Sequence, residues 1–209
     1  MQNRLLFTAL ALLLLTPNQS WALFEARLTY GSLVSQQDLK NICQGSCTAP
    51  TNAPAIVPTF GLGVDAIVEI PLIPFGIGLR TEDMKLSTST SSIDAELKYK
   101  RTALLINYRF TDTIVHFGAI ASYGISHSGS MTIKEGGVTR VDISAGSPTS
   151  YSVGLELGVK PLVVVPLKVG AEAGYQSFKW GESTNSVDAT RKDVDLSGTY
   201  LKVFLGLDI

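Results

Sequence analysis

Histidine and cysteine occur only twice each in 209 residues. Two histidines and two cysteines confined to one polar segment do not assemble the four-ligand set of a structural zinc site. We expect no metal and no cofactor. Charge of one sign is also missing: 17 Lys and Arg stand against 18 Asp and Glu, a net charge of −1. No basic stripe suggests a nucleic-acid partner. Phosphate-cradling glycine loops are absent, because the Gly-x-Gly pairs fall inside strand-like runs. Beyond Ala22 there is no long apolar run. Leu157 to Val169 comes nearest and is broken by Lys160, Pro161, Pro166 and Lys168, so no later segment crosses a bilayer as a helix. Helical periodicity is scarce throughout this part.

The N-terminus is of another kind. Arg4 precedes the apolar run Leu5–Leu15, Thr16-Pro17-Asn18-Gln19 breaks it, and Ser20-Trp21-Ala22 sets small residues at the two positions a signal peptidase reads. Residues 1–22 are expected to be a secretory signal peptide and 23–209 the mature chain. Cys43 and Cys47 would then enter an oxidising compartment. Gly45 lies between them for a tight return, and a disulfide is expected.

In the mature part a period of two recurs. Phe24, Ala26, Leu28 and Tyr30 alternate with Glu25, Arg27, Thr29 and Gly31, and the same habit returns through Phe60–Ile70, Phe75–Arg80, Ala103–Phe110, Val115–Gly124, Tyr151–Lys160, Leu167–Gln176 and Tyr200–Ile209. These eight runs have about the length a tilted membrane strand needs. Short connections (Leu72-Ile73, Thr111-Asp112-Thr113, Leu162–Val165) alternate with long polar ones (Ser35–Ala55, Thr81–Glu96, Ser126–Pro148, Gly181–Asp195). Short turns at one end and long loops at the other are the layout of outer-membrane barrels. Within the third long connection, Met131–Glu135, Gly136-Gly137 and Val138–Ile143 predict a hairpin.

A soluble β-sandwich also alternates. Here, however, the polar parity is rich in glycine and carries balanced charges: Arg27, Arg80, Arg109, Lys160, Lys168 and Lys202 against Glu25, Asp65, Glu69, Glu156, Glu172 and Asp208. Paired charges are what a confined interior requires. The opposite parity is nearly free of charge, as lipid demands, since a charge at the bilayer midplane costs about 2–4 kcal/mol. Phe24, Phe75, Phe110 and Phe117 sit towards the turn end, and Tyr30, Tyr123, Tyr151 and Tyr175 towards the loop end. They suit two interfacial girdles. An all-β chain in lipid must close on itself. We therefore expect an eight-stranded antiparallel up-and-down transmembrane β-barrel, with outer-membrane lipid and lipopolysaccharide around it and both termini periplasmic.

The last run, Tyr200–Ile209, resembles the C-terminal strand by which the barrel-assembly machinery recognises outer-membrane barrels, with Ile209 where Phe is usual. In pattern the mature part is similar to the small eight-stranded class typified by the OmpA membrane domain, OmpX and OmpW. The resemblance implies the outer membrane of a Gram-negative-type bacterium.

Barrel enzymes that modify lipid A make catalysis worth testing. Ser126-His127-Ser128 is the one candidate, but neighbouring strand residues point to opposite faces, so it is expected to be a polar loop margin. His116 is expected to pack inside near the periplasmic end. The interior carboxylates are expected to form an ion-pair ladder rather than acid–base pairs. We thus expect a non-enzymatic surface protein acting through its outer loops in membrane integrity, adhesion or recognition. The alternatives are a narrow solute channel and a lipid-modifying enzyme.

Overall fold

The computed structural model describes residues 24–34, 59–70, 73–89, 93–161, 166–187, 189 and 191–209. The expected signal peptide and the Cys43–Cys47 pair lie outside the described residues. Ten strands are present among those described: β1 Phe24–Leu33, β2 Thr59–Glu69, β3 Phe75–Ser89, β4 Ile93–Asp112, β5 Val115–Glu135, β6 Val138–Ser144, β7 Ser147–Val159, β8 Leu167–Thr184, β9 Arg191–Asp195 and β10 Gly198–Asp208. Every pairing is antiparallel.

Eight of them form a ring. The order is β10-β1-β2-β3-β4-β5-β7-β8, and β8 pairs with β10 to close it. The closing seam is continuous, from Glu25 opposite Asp208 to Leu33 opposite Tyr200. At its foot Phe24 and Ile209 exchange both backbone hydrogen bonds, 3.2 and 2.7 Å long. Closure satisfies every edge, which the lipid interior requires because no water is there to do so.

Alternation then fixes the two faces. Leu28, Val64, Ile77, Leu104, Val153, Leu155, Val203 and Leu205 are among the many large apolar residues left exposed, all on the outward parity. A soluble protein would bury such a surface; a barrel turns it to lipid. Phe75, Phe110 and Phe117 bound this belt on one side, and Tyr30, Tyr123, Tyr151 and Tyr175 on the other.

Above the tyrosines the structure departs from the expected loops. Thr81–Glu96 is not a loop over most of its length. β3 runs on to Ser89 and β4 starts at Ile93, in unbroken register from Phe75 opposite Tyr108 to Ser89 opposite Asp94. β5 likewise continues to Glu135 and turns through Gly136 and Gly137, both with positive φ (56° and 81°), into β6. This is the hairpin read from the Gly-Gly pair. β9 pairs with the outer part of β8 inside the segment expected as the fourth long loop. The strands rise beyond the bilayer because their inward parity stays apolar: Leu33, Met84, Ile93, Leu97, Tyr99, Met131, Ile133, Val141, Ile143, Phe178, Trp180, Val194 and Tyr200 form one buried cluster. That cluster caps one end of the barrel. Polar composition hid it, because only every second residue of these strands is apolar.

Candidate functional site

The lumen holds ionised groups in layers. At the mouth beside the chain's last residues, opposite the apolar cap, Arg109 contacts Glu25, Glu69 and Asp112. Lys168 lies 3.3 Å from Glu25 and 3.2 Å from Asp208, and Lys160 bridges Asp112 and Asp208. Carboxylate oxygens of Glu25, Glu69 and Asp208 gather within 4.8 Å of one another, as a metal site would need. Arg109, Lys160 and Lys168 already supply their countercharge, which makes the group an ion-pair cluster.

One layer inward, Arg27 joins Glu25 (2.7 Å) to Glu156 (2.5 Å), with its guanidinium 4.7 Å from the Phe204 ring. Asn107 and His116 also bind Glu156, the latter at 2.6 Å. Arg80 then forms two forked contacts, to Asp65 (2.8 and 2.8 Å) and to Glu172 (2.9 and 2.7 Å). Tyr200 donates its hydroxyl to Glu172. The last polar layer is Glu82 between Arg101 and Lys202. Paired and forked geometry of this kind is what makes buried charge tolerable.

All twelve charges assigned to the interior line the lumen: Glu25, Arg27, Asp65, Arg80, Arg109, Glu156, Lys168, Glu172, Lys202 and Asp208 are buried, and Glu69 and Lys160 half-buried at the mouth. The ladder also contains Glu82, Arg101 and Asp112, which sequence reading missed. Glu82 and Arg101 continue the inward parity of Arg80 and Ala103, but lay in or beside a segment taken for a loop. Asp112 lay in a turn, and its carboxylate folds back into the mouth.

His127 shows a sharper departure. It is not at a polar loop margin but within β5, paired with Arg101 of β4. The β4–β5 register shifts between Thr102 and Ala103, so that Gly124 opposes Ala103, Ser126 opposes Thr102, and Ile125 is the extra residue of a bulge. A bulge inverts the facing of everything beyond it. Strict alternation would send His127 outward with Tyr123 and Ile125; the bulge turns it inward. There its Nε2 meets Ser150 Oγ of β7 at 2.8 Å. Arg101 Nη1 donates to the same oxygen at 3.2 Å. The Tyr99 ring stacks on the imidazole, centroids 5.9 Å apart and 18° from parallel. Burial, then the nearby Arg101 charge, hold the His127 imidazolium below its ordinary range, which favours the neutral ring. Burial pushes the Tyr99 phenol up to about 12.

The pair stands at a split in the wall. β5 and β7 are paired from Val115/Val159 only as far as Tyr123/Tyr151. Above that point β5 goes on with β6 from Ser130/Ser144, while β7 follows β8 from Ser150/Phe178 to Ser147/Gly181. Between Gly124 and Gly129 the β7 side of β5 carries no ladder pairing among the described residues, and the His127–Ser150 hydrogen bond crosses the gap.

No family model matches the chain, and no curated protein sequence does. Similar solved structures include three proteins of bacterial surfaces. The attachment invasion locus protein Ail of Yersinia pestis has a TM-score of 0.47 at 13% identity, covering 88% of this chain and 93% of its own. Neisserial surface protein A gives 0.45 at 18% identity, with 89% and 96% covered. The outer membrane protease OmpT from Escherichia coli gives 0.41 at 9%, with 91% and 95% covered. On its own geometry, an eight-strand ring with an outward apolar belt and a charged lumen, the chain has the architecture of a small transmembrane β-barrel of the outer-membrane type.

Proposed function

We propose that the chain is a sealed outer-membrane anchor that works through the sheet it raises outside the bilayer, in membrane integrity, adhesion or recognition. One observation carries this reading: among the described residues, buried side chains occupy the lumen in successive layers, ion pairs from Glu25 to Lys202 and then the apolar cluster around Tyr99, Phe178 and Trp180. Eight strands enclose only enough room for side chains. The ionised groups engage one another, so the surface role needs no chemistry from them. A path for solute would require at least four ion-paired layers to part together.

The outer sheet suits binding because it is stiff. Its inward face is packed, and its outward face is polar, with Asp94, Glu96, Lys98, Lys100, Ser128, Ser130 and Lys134 exposed. Delivery would follow the ordinary route: the exported chain is inserted by the barrel-assembly machinery reading Tyr200–Ile209, into lipid and lipopolysaccharide. The test is binding of purified barrel, in lipid nanodiscs, to host-type and bacterial surfaces, with and without residues 132–142. Loss of binding in a shortened barrel that still folds supports the reading. Equal binding by both forms overturns it.

A further inference from the structure

The fork between β5 and β7 is built around a serine, and three separate features build it. The bulge at Ile125 turns His127 inward. Gly124 leaves the space its hydrogen bond occupies: a Cβ there would lie 2.2 Å from both His127 Nε2 and Ser150 Oγ. The ladder stops at Tyr123/Tyr151, so that among the described residues no β5–β7 pairing continues above the bond. None of the three is required to close a barrel, and Gly124 and the bulge both weaken the local ladder.

The fork's place in the membrane indicates what reaches it. Its lower rim is Tyr123 and Tyr151, exposed outward by 62% and 48%, with Ile125 beside them at 54%. Outward tyrosines mark the headgroup level of a bilayer, and the ester carbonyls of membrane lipids lie at that same level. An acyl chain resting on the belt would bring its ester to the base of the fork from the side, not through the plugged mouth. Ser150 itself is 2% exposed, so the access runs past the half-exposed His127.

We propose that Ser150 is a nucleophile towards acyl esters of the outer leaflet, with His127 as its base. Ser150 Oγ bonds to the ester carbonyl carbon as its proton passes to His127 Nε2, and the carbonyl π pair moves onto oxygen beside the Arg101 guanidinium. Collapse breaks the ester C–O bond, and the proton on Nε2 goes to the departing alkoxide. Water, activated by the same nitrogen, then attacks the acyl-serine, releases the fatty acid and restores Ser150. A base must be within hydrogen-bond reach and unprotonated. The 2.8 Å contact meets the first condition, and the burial and Arg101 charge that disfavour the imidazolium meet the second. Gln176, fully buried beside Ser152 and without a side-chain partner among the described residues, offers a further amide donor at this level.

This inference does not rest on the binding role, and either can fail alone. The test is covalent labelling of the full mature barrel in phospholipid vesicles by an alkyl fluorophosphonate, mapped by peptide mass spectrometry. Folding of each variant is checked by heat-modifiable gel mobility. Label should appear on Ser150 and vanish in Ser150→Ala. The rate should fall on the order of 100-fold or more in His127→Gln, which keeps a hydrogen-bonding side chain without the base. Vesicles of phosphatidylethanolamine alone, or containing lipopolysaccharide, identify the ester by the fatty acid released. An unlabelled Ser150 in folded wild-type protein, equal rates in His127→Gln, or no fatty acid from either vesicle overturns the proposal.

Discussion

Arg80 shows how single residues hold this barrel together. Its guanidinium is fully buried and forks onto Asp65 and Glu172, one from the neighbouring strand and one from across the lumen. Removing it leaves two carboxylates facing each other with no cation between them. Arg80→Ala should therefore destabilise the barrel by about 3–5 kcal/mol, read as a lower urea midpoint for unfolding in detergent or vesicles. An unchanged midpoint would mean that water enters the lumen and screens the pair. His127 makes a second residue-scale prediction. Around it stand Arg101 and Tyr99 of β4 and Ser150 of β7, with Glu82 of β3 behind Arg101. Burial, followed by the Arg101 charge, depresses its pKa below the ordinary 6.5. The fold thus favours the neutral ring: the stabilisation is complete above the unfolded pKa and is lost as pH falls through the folded value. An imidazole NMR titration should place the midpoint of His127 below 6.5, and a midpoint above it would contradict the depression.

At the scale of elements, the outer extension behaves as a structure of its own. β5 and β6 meet at Gly136-Gly137, where two positive-φ residues make the turn. The flanking Lys134 and Arg140 are exposed. Proteinase K added to intact cells should cut in this hairpin and spare the Thr111–Thr113 turn at the opposite end, where Asp112 is held in the mouth cluster by Arg109 and Lys160. Cleavage confined to that turn with the hairpin intact would reverse the orientation. Trp180 is the largest side chain in the capping cluster. Trp180→Ala should cost about 3–5 kcal/mol in the extension. Hydrogen exchange should rise in 93–99 and 131–143 while the belt strands stay protected. Uniform loss of protection would show that cap and ring unfold as one unit.

For the molecule as a whole, closure and filling act together. Among the described residues the strands of the ring pair around to closure, and the interior side chains of the ion-pair layers and the cap are buried. Pure protein in planar bilayers should give no steady, well-resolved conductance steps. Such steps from the wild type would show that the layers part, and would favour a small gated channel over the sealed anchor.

The barrel was legible in the sequence because lipid and a narrow lumen impose opposite demands on alternate residues. From Phe24–Tyr30 to Tyr200–Ile209 the chain therefore records which face is which, and the twelve interior charges follow from parity alone. The aromatic girdles follow by the same logic. Partners do not follow, since parity says that Arg80 points inward but not that it lies between Asp65 and Glu172, which come from strands far apart in the chain. The outer extension was hidden for another reason: beyond the bilayer the outward residues become polar, and a half-polar strand is then hard to distinguish from a loop. The Ser150–His127 contact was out of reach altogether. It depends on one extra residue in β5, which inverts the facing of His127, and on a fork that brings β7 within its reach. A bulge leaves no mark on local periodicity that a loop would not leave, so only the pairing of β5 with β4 determines on which side of the wall this histidine stands.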